Sequence, residues 1–206
     1  MINPELSGLV VRNIGDLEAA VVHARELDQR LFTAIGEGVK EQLADTDFHA
    51  HAIGDEEYVW FAPRSWLKNT TKDVEADYWF ELLELPGPGD KFEETWIAQF
   101  ANVGPHSAET GIWFCGSALK ARRWKSLLAR GDAIVARLMD AGFRQDPDQR
   151  IYFPLRLDLE ELAKGFEDDD LTAALRPLRD AVATIMKCID DFEALVALDR
   201  KQETQA

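Results

Sequence analysis

Tyr58-Val59-Trp60-Phe61, Tyr78-Trp79-Phe80, Trp96-Ile97 and Ile112-Trp113-Phe114 mark the stretch that decides the fold. Their tryptophans stand at 60, 79, 96 and 113, in steps of 19, 17 and 17 residues. Each step has room for one strand and a return connection, and aromatic and β-branched residues suit a pleated, half-buried surface. Residues 58–115 therefore read as an antiparallel meander, with strands over 58–62, 77–85, 92–103 and 111–115. In the second of these, Tyr78, Phe80 and Leu82 share one face, and Trp79, Leu83 and Leu85 share the other. A strand apolar on both faces belongs at the centre of a sheet.

Working outward, residues 45–53 alternate Asp47, His49 and His51 with Phe48, Ala50 and Ala52, which is strand periodicity. Before them, residues 16–43 repeat apolar positions at helical steps, with Asn13 or Asp16 as cap and a bend or stop at Gly36 and Gly38. After the meander, Ser117 should cap a helix over 118–141, closed by Gly142. Residues 150–158 alternate cleanly, and Pro154 places that strand at a sheet edge. Asp158 and Glu161 should cap a short helix that stops at Gly165. Leu178, Val182, Ile185, Ile189, Phe192 and Val196 continue a heptad-like seam after Pro177. That seam packs either inside the fold or, in a homodimer, through the 177–199 helix.

The expected fold is α+β. A mostly antiparallel sheet of about six strands packs with an N-terminal, a middle and a C-terminal helix, all in one domain over 1–206. A chain of 206 residues buries enough surface to need no staples, and its two cysteines, Cys115 and Cys188, read as buried thiols of a reducing compartment. No apolar run approaches the length of a membrane span and no signal-peptide pattern opens the chain, so a cytoplasmic protein is expected.

The net charge of −15 is unevenly spread. Residues 1–57, 58–117 and 157–206 carry −8, −5 and −7, whereas 118–156 carry +5. Such a field disfavours nucleic acid. The basic segment offers Lys120, Arg122, Arg123, Lys125 and Arg130 as a partner-binding face, or as a match for the protein's own acidic surface.

Asp47-Phe48-His49-Ala50-His51 resembles the Asp-x-His-x-His opening of amidohydrolase and PHP-type metal hydrolases. The resemblance covers five residues and implies a metal at Asp47, His49 and His51; only His106 follows as a further histidine. Asp77 and Glu81 on an apolar strand resemble the metal cradle of PD-(D/E)xK nucleases, but no Lys stands two residues after Glu81, Glu93 or Glu94. There is no nucleophile elbow, phosphate loop or dinucleotide fingerprint, and no cofactor is expected. Trp79, Trp96 and Trp113 could line a small-molecule pocket. The leading expectation is a non-catalytic protein that binds another macromolecule, with a basic protein as the partner that suits its acidic surface.

Overall fold

The computed structural model describes residues 4–53, 57–68, 75–84, 95–103, 109–117, 119 and 121–203. Among them, six antiparallel strands form one sheet: β1 (Phe48–Ile53), β2 (Tyr58–Pro63), β3 (Tyr78–Glu84), β4 (Thr110–Gly116), β5 (Arg144–Gln145) and β6 (Ile151–Pro154). Their order is β1-β2-β3-β4-β6-β5, a four-strand meander extended by a hairpin taken in reverse. The helices are α1 (Pro4–Arg12), α2 (Ile14–Leu43), α3 (Trp96–Ala101), α4 (Ala121–Arg130), α5 (Asp132–Asp140), α6 (Leu159–Glu167), α7 (Arg176–Lys187) and α8 (Ile189–Glu203). The fold is α+β.

Register places the rings. Phe61 pairs with Phe80 and Phe80 with Phe114, so the three share one face of the sheet. Helices cover this face. Phe192 of α8 stands edge-on to Phe80 with ring centroids 4.9 Å apart, and also meets Phe114 and Phe143. From α2, Leu31, Phe32, Ile35, Val39 and Leu43 face the core at three- and four-residue steps.

Gly36 does not end α2. A Cβ there would lie 2.6 Å from the Ala52 Cβ, so the glycine sits where helix and β1 touch most closely. This close packing offsets the roughly 1 kcal/mol a helical glycine costs. Asn13 occupies the cap position of α2 without capping it, because its side-chain amide turns back to donate to the Leu9 carbonyl at 2.8 Å.

The segment expected as a strand over 92–103 holds a helix instead, α3, with Thr95 and Asn102 at its ends. The Thr95 hydroxyl accepts from the Ala98 amide at 3.3 Å, and the Asp28 carboxylate accepts from the Trp96 and Ile97 amides at 3.0 Å each. Two acceptors at one helix start satisfy donors that a strand would have to pair elsewhere. Asn102, at φ 55°, closes this short helix in the left-handed region.

The helix expected over 118–141 is two helices. The chain breaks at Gly131 beneath α8, where a Cβ would come within 2.7 Å of the Leu195 Cδ2. Among the described residues α4 runs from Ala121, four residues after Ser117, whose amide donates to the Asp77 carbonyl. The stop at Gly142 holds: Phe143 and Gly142 donate to the Leu138 and Met139 carbonyls, the paired bonds of a Schellman turn, with φ 102° at the glycine.

The edge placement of the strand at 150–158 is corrected. β6 lies between β4 and β5. β5 pairs only with Tyr152 and Ile151, so Pro154 lies beyond its reach and its missing N–H disturbs no bond to β5. α6 runs past Gly165 to Glu167, because the glycine admits Leu171, whose Cδ2 would be 2.9 Å from a Cβ. The Asp158 carboxylate caps this helix by accepting from the Glu160 and Glu161 amides. The 171–199 seam bends at Cys188 into α7 and α8, and Leu178, Val182, Ile185, Phe192 and Val196 are buried in the protein's own core.

Candidate functional site

The face of the sheet opposite the Phe80 rings carries a transverse row of functional side chains. His51 pairs with Trp60, Trp60 with Glu81, Glu81 with Trp113, Trp113 with Tyr152, and Tyr152 with Arg144. One residue from each of six strands therefore lies in line. Trp79 and Cys115 form the neighbouring pair on the same face.

At the centre, the Glu81 carboxylate accepts from the Trp79 indole N–H at 2.6 Å. Burial raises the Glu81 pKa, while hydrogen bonds from Trp79 and the Cys115 thiol pull it down. Burial and then the Glu81 charge push the Cys115 thiol up to about 12. A thiol held neutral is not a nucleophile. Farther along, Trp113 stacks on Tyr152 with centroids 4.5 Å apart and the planes 14° from parallel. The Arg150 guanidinium lies 4.8 Å from the Trp113 ring and is held by Asp146 at 2.8 Å. Burial and a hydrogen bond to Glu109 push the Tyr152 hydroxyl up to about 12. Trp60 and Trp113 are both buried, so this row is packed and hydrogen-bonded like a second core layer.

Cys115 yields a test. In the folded chain the thiol titrates near 12 rather than the ordinary 9.0. Between those values the unfolded chain holds fewer protons, so stability falls as pH rises through that window. The Cys115→Ala chain is expected to lose part of this alkaline slope in urea titrations. Native Cys115 is also expected to alkylate far more slowly than in the unfolded chain, as mass spectrometry would show.

The metal candidates are dispersed. His49 and His51 do share one face, each near the Trp60 ring at 5.5 and 5.7 Å. Burial lowers the His49 pKa, helped by Arg64 and His51, and its Nε2 is buried without a hydrogen bond. Asp47 lies before β1, exposed, with Arg64 3.9 Å away. Asp77 precedes β3 and pairs with Lys68 at 3.5 Å, apart from Glu81 on the sheet face. Among the described residues, no group of three His, Cys, Asp or Glu side chains is placed to hold a metal ion. Of the three tryptophans, Trp79 and Trp113 share the sheet face, but Trp96 is on α3 and packs against Phe32 at 4.9 Å.

The basic segment of α4 is partly turned inward. Arg123 donates through Nε and Nη2 to both oxygens of Asp199, each at 2.7 Å, and Asp199 is fully buried. Arg130 reaches the Leu198 carbonyl within α8. Arg122 and Lys125 stay exposed, and Lys120 lies outside the described residues. Asp199 and Asp28 are the site residues that sequence reading missed. The spacing of Asp199 from Phe192, seven residues on a helix, is the signal that would have placed it on the core face.

Two exposed surfaces remain. Residues 158–170 carry seven carboxylates against Lys164 alone, on α6 and the turn after it. The other is the N-terminal helix pair, where Leu9, Val10, Val11, Ile14, Leu17, Val21 and Val22 are exposed. Among the described residues, no helix is long and apolar enough to cross a membrane. Set against known proteins, the chain matches no family, no curated protein and no solved structure.

Proposed function

We propose that this chain is a cytoplasmic, non-catalytic protein that acts by binding a basic macromolecular partner, as an inhibitor or regulator does. One observation supports this reading above the others: four arginines of the basic segment are drawn into ion pairs with the protein's own carboxylates, while the carboxylates of α6 and the turn after it face water. Arg123, Arg137, Arg144 and Arg150 of the basic segment pair with Asp199, Asp191, Glu109 and Asp146. The carboxylates of α6 and its following turn are exposed, and among the described residues Asp169 alone of them is in an ion pair, with Arg30. The basic segment thus spends part of its charge on the protein's own acids, leaving Arg122 and Lys125 exposed within a chain of net charge −15. A field of one sign steers and selects partners of the other.

Affinity purification of the tagged full chain from its source, at low and moderate salt, tests the reading. One abundant basic protein, retained at low salt and lost as salt rises, is the expected result. Recovery of nucleic acid, or of no partner at either salt, would overturn it.

A further inference from the structure

The apolar stripe of α2 does not stop where the body of the protein stops. Val10, Ile14, Leu17, Val21, Ala24, Asp28, Leu31 and Ile35 follow one another in alternating steps of four and three residues. Such positions lie on one side of a helix. At the C-terminal end of the stripe Leu31 and Ile35 are 0% exposed, against the core. At the other end Leu17 is 43% and Val21 50% exposed. The backbone carries the stripe back into α1, since the Asn13 amide donates to the Leu9 carbonyl and Leu17 donates to Asn13. One seam is therefore core along half its length and bare along the other half. Helices of a few turns that gain no packing from a body are marginal in water.

We infer that this arm pairs with the same arm of a second copy of the chain, antiparallel, in a two-fold dimer. The register makes the stripe complementary to itself. With the two arms opposed, Ile14 of each copy faces Leu17 of the other, and Val10 faces Val21, each layer occurring twice about the axis. The flanking positions Asn13, Ala20 and Leu27 carry no charge, so nothing beside the seam repels. Six large side chains on or beside the seam, Leu9, Val10, Ile14, Leu17, Val21 and Val22, are each 38–59% exposed and bring roughly several hundred Å² of apolar surface per copy. That is the scale of the roughly 800 Å² each partner gives to a standard interface. Charge favours this site over the body: residues 4–27 hold four acids against two bases, while the whole chain stands at −15. Contact between the arms holds the two acidic bodies apart. Salt should therefore strengthen the dimer, the opposite of its effect on a basic partner.

Sedimentation velocity on the full chain, across protein concentration and at low and high salt, is the test. The wild type is expected to dimerise, and the dimer share to rise with salt. Leu17→Glu/Val21→Glu is expected to weaken the dimer about a hundredfold or more, since pairing would bury unpaired carboxylates. Ala19→Glu, on the opposite side of the helix, should behave as wild type. Unchanged near-UV circular dichroism would show that the body of each variant folds. A mixture of Val10→Cys and Val21→Cys chains should form the mixed disulfide. A wild type that stays monomeric throughout, a double variant that dimerises as tightly as wild type, or a dimer dispersed by salt would overturn the proposal. Failure to join the Val10→Cys and Val21→Cys chains would overturn the antiparallel register. None of these outcomes depends on whether a basic partner is captured.

Discussion

Replacing Asp199 by alanine is expected to destabilise the protein by about 3–5 kcal/mol, the cost of stripping one partner from a buried ion pair. The carboxylate is fully buried and fully engaged: both oxygens accept from Arg123, and Oδ2 also accepts from the Tyr78 hydroxyl at 2.7 Å. Alanine would take this carboxylate away from a partly buried guanidinium and a buried phenol. Desolvation of a charge that has lost its buried partner, rather than loss of attraction, sets the size of the effect. The Tyr78→Phe chain, which removes one hydrogen bond to this carboxylate and keeps the ion pair, should lose about 1.5–3 kcal/mol. Urea titration of the three chains measures both. A loss for Asp199→Ala no larger than that for Tyr78→Phe would mean that the cluster adds little to the fold.

The Phe192→Ala chain should lose a similar amount, about 3–5 kcal/mol, by a different route. Phe192 is 0% exposed and wedged among Phe80, Phe114 and Phe143 at 4.9, 4.9 and 5.2 Å. These three neighbours come from β3, β4 and the turn after α5, elements that cannot all close on the gap at once. The void therefore stays open, and the cavity adds to the lost transfer free energy. Phe192→Leu refills most of the volume and should cost less than half as much. Both changes should leave the helical circular dichroism intact at low temperature while lowering the unfolding midpoint. Equal midpoints for Phe192→Ala and Phe192→Leu would show that this site relaxes and forms no rigid wedge.

The two sites show what sequence made legible. Alternation in 78–84 and 48–53 was readable because a strand's period of two sorts side chains without help from tertiary structure. The central place of β3 followed from its two apolar faces. Phe192 was visible as one member of a repeating seam. Asp199 has the same spacing, seven residues on, but a carboxylate breaks the apolar pattern, and its partners at 78 and 123 are what explain it there. Trp96 failed for a related reason. Six residues of mixed apolar character fit a strand or a helix, and the decision lay with Asp28, sixty-eight residues earlier, whose carboxylate takes the first amides of α3. Gly36 and Gly165 were read as places where a helix bends or stops, and Gly131 fell inside the helix expected over 118–141. Each marks instead a place where another element passes too close for a Cβ.

The candidate sites divide along the same line. Two histidines on one strand face could be read from alternation, as could the stacking of aromatic strands. The row from His51 to Arg144 needed the register of six strands, including a two-residue strand that no pattern announces. The internal use of the α4 arginines needed the position of α8. The charge sums were right in size, but only the fold shows which side each charge faces.

The binding reading is tested most directly by one comparison. Wild-type chain and a Glu167→Lys/Asp168→Lys chain would be used side by side to capture partners from the source at one low salt concentration. Both positions are exposed and lie at the C-terminal end of α6, where lysine is favoured by the helix dipole, so the variant should fold at least as well. The account predicts a single basic protein retained by the wild type and largely lost by the variant. Equal retention by both chains, or a clean wild-type column, would contradict it.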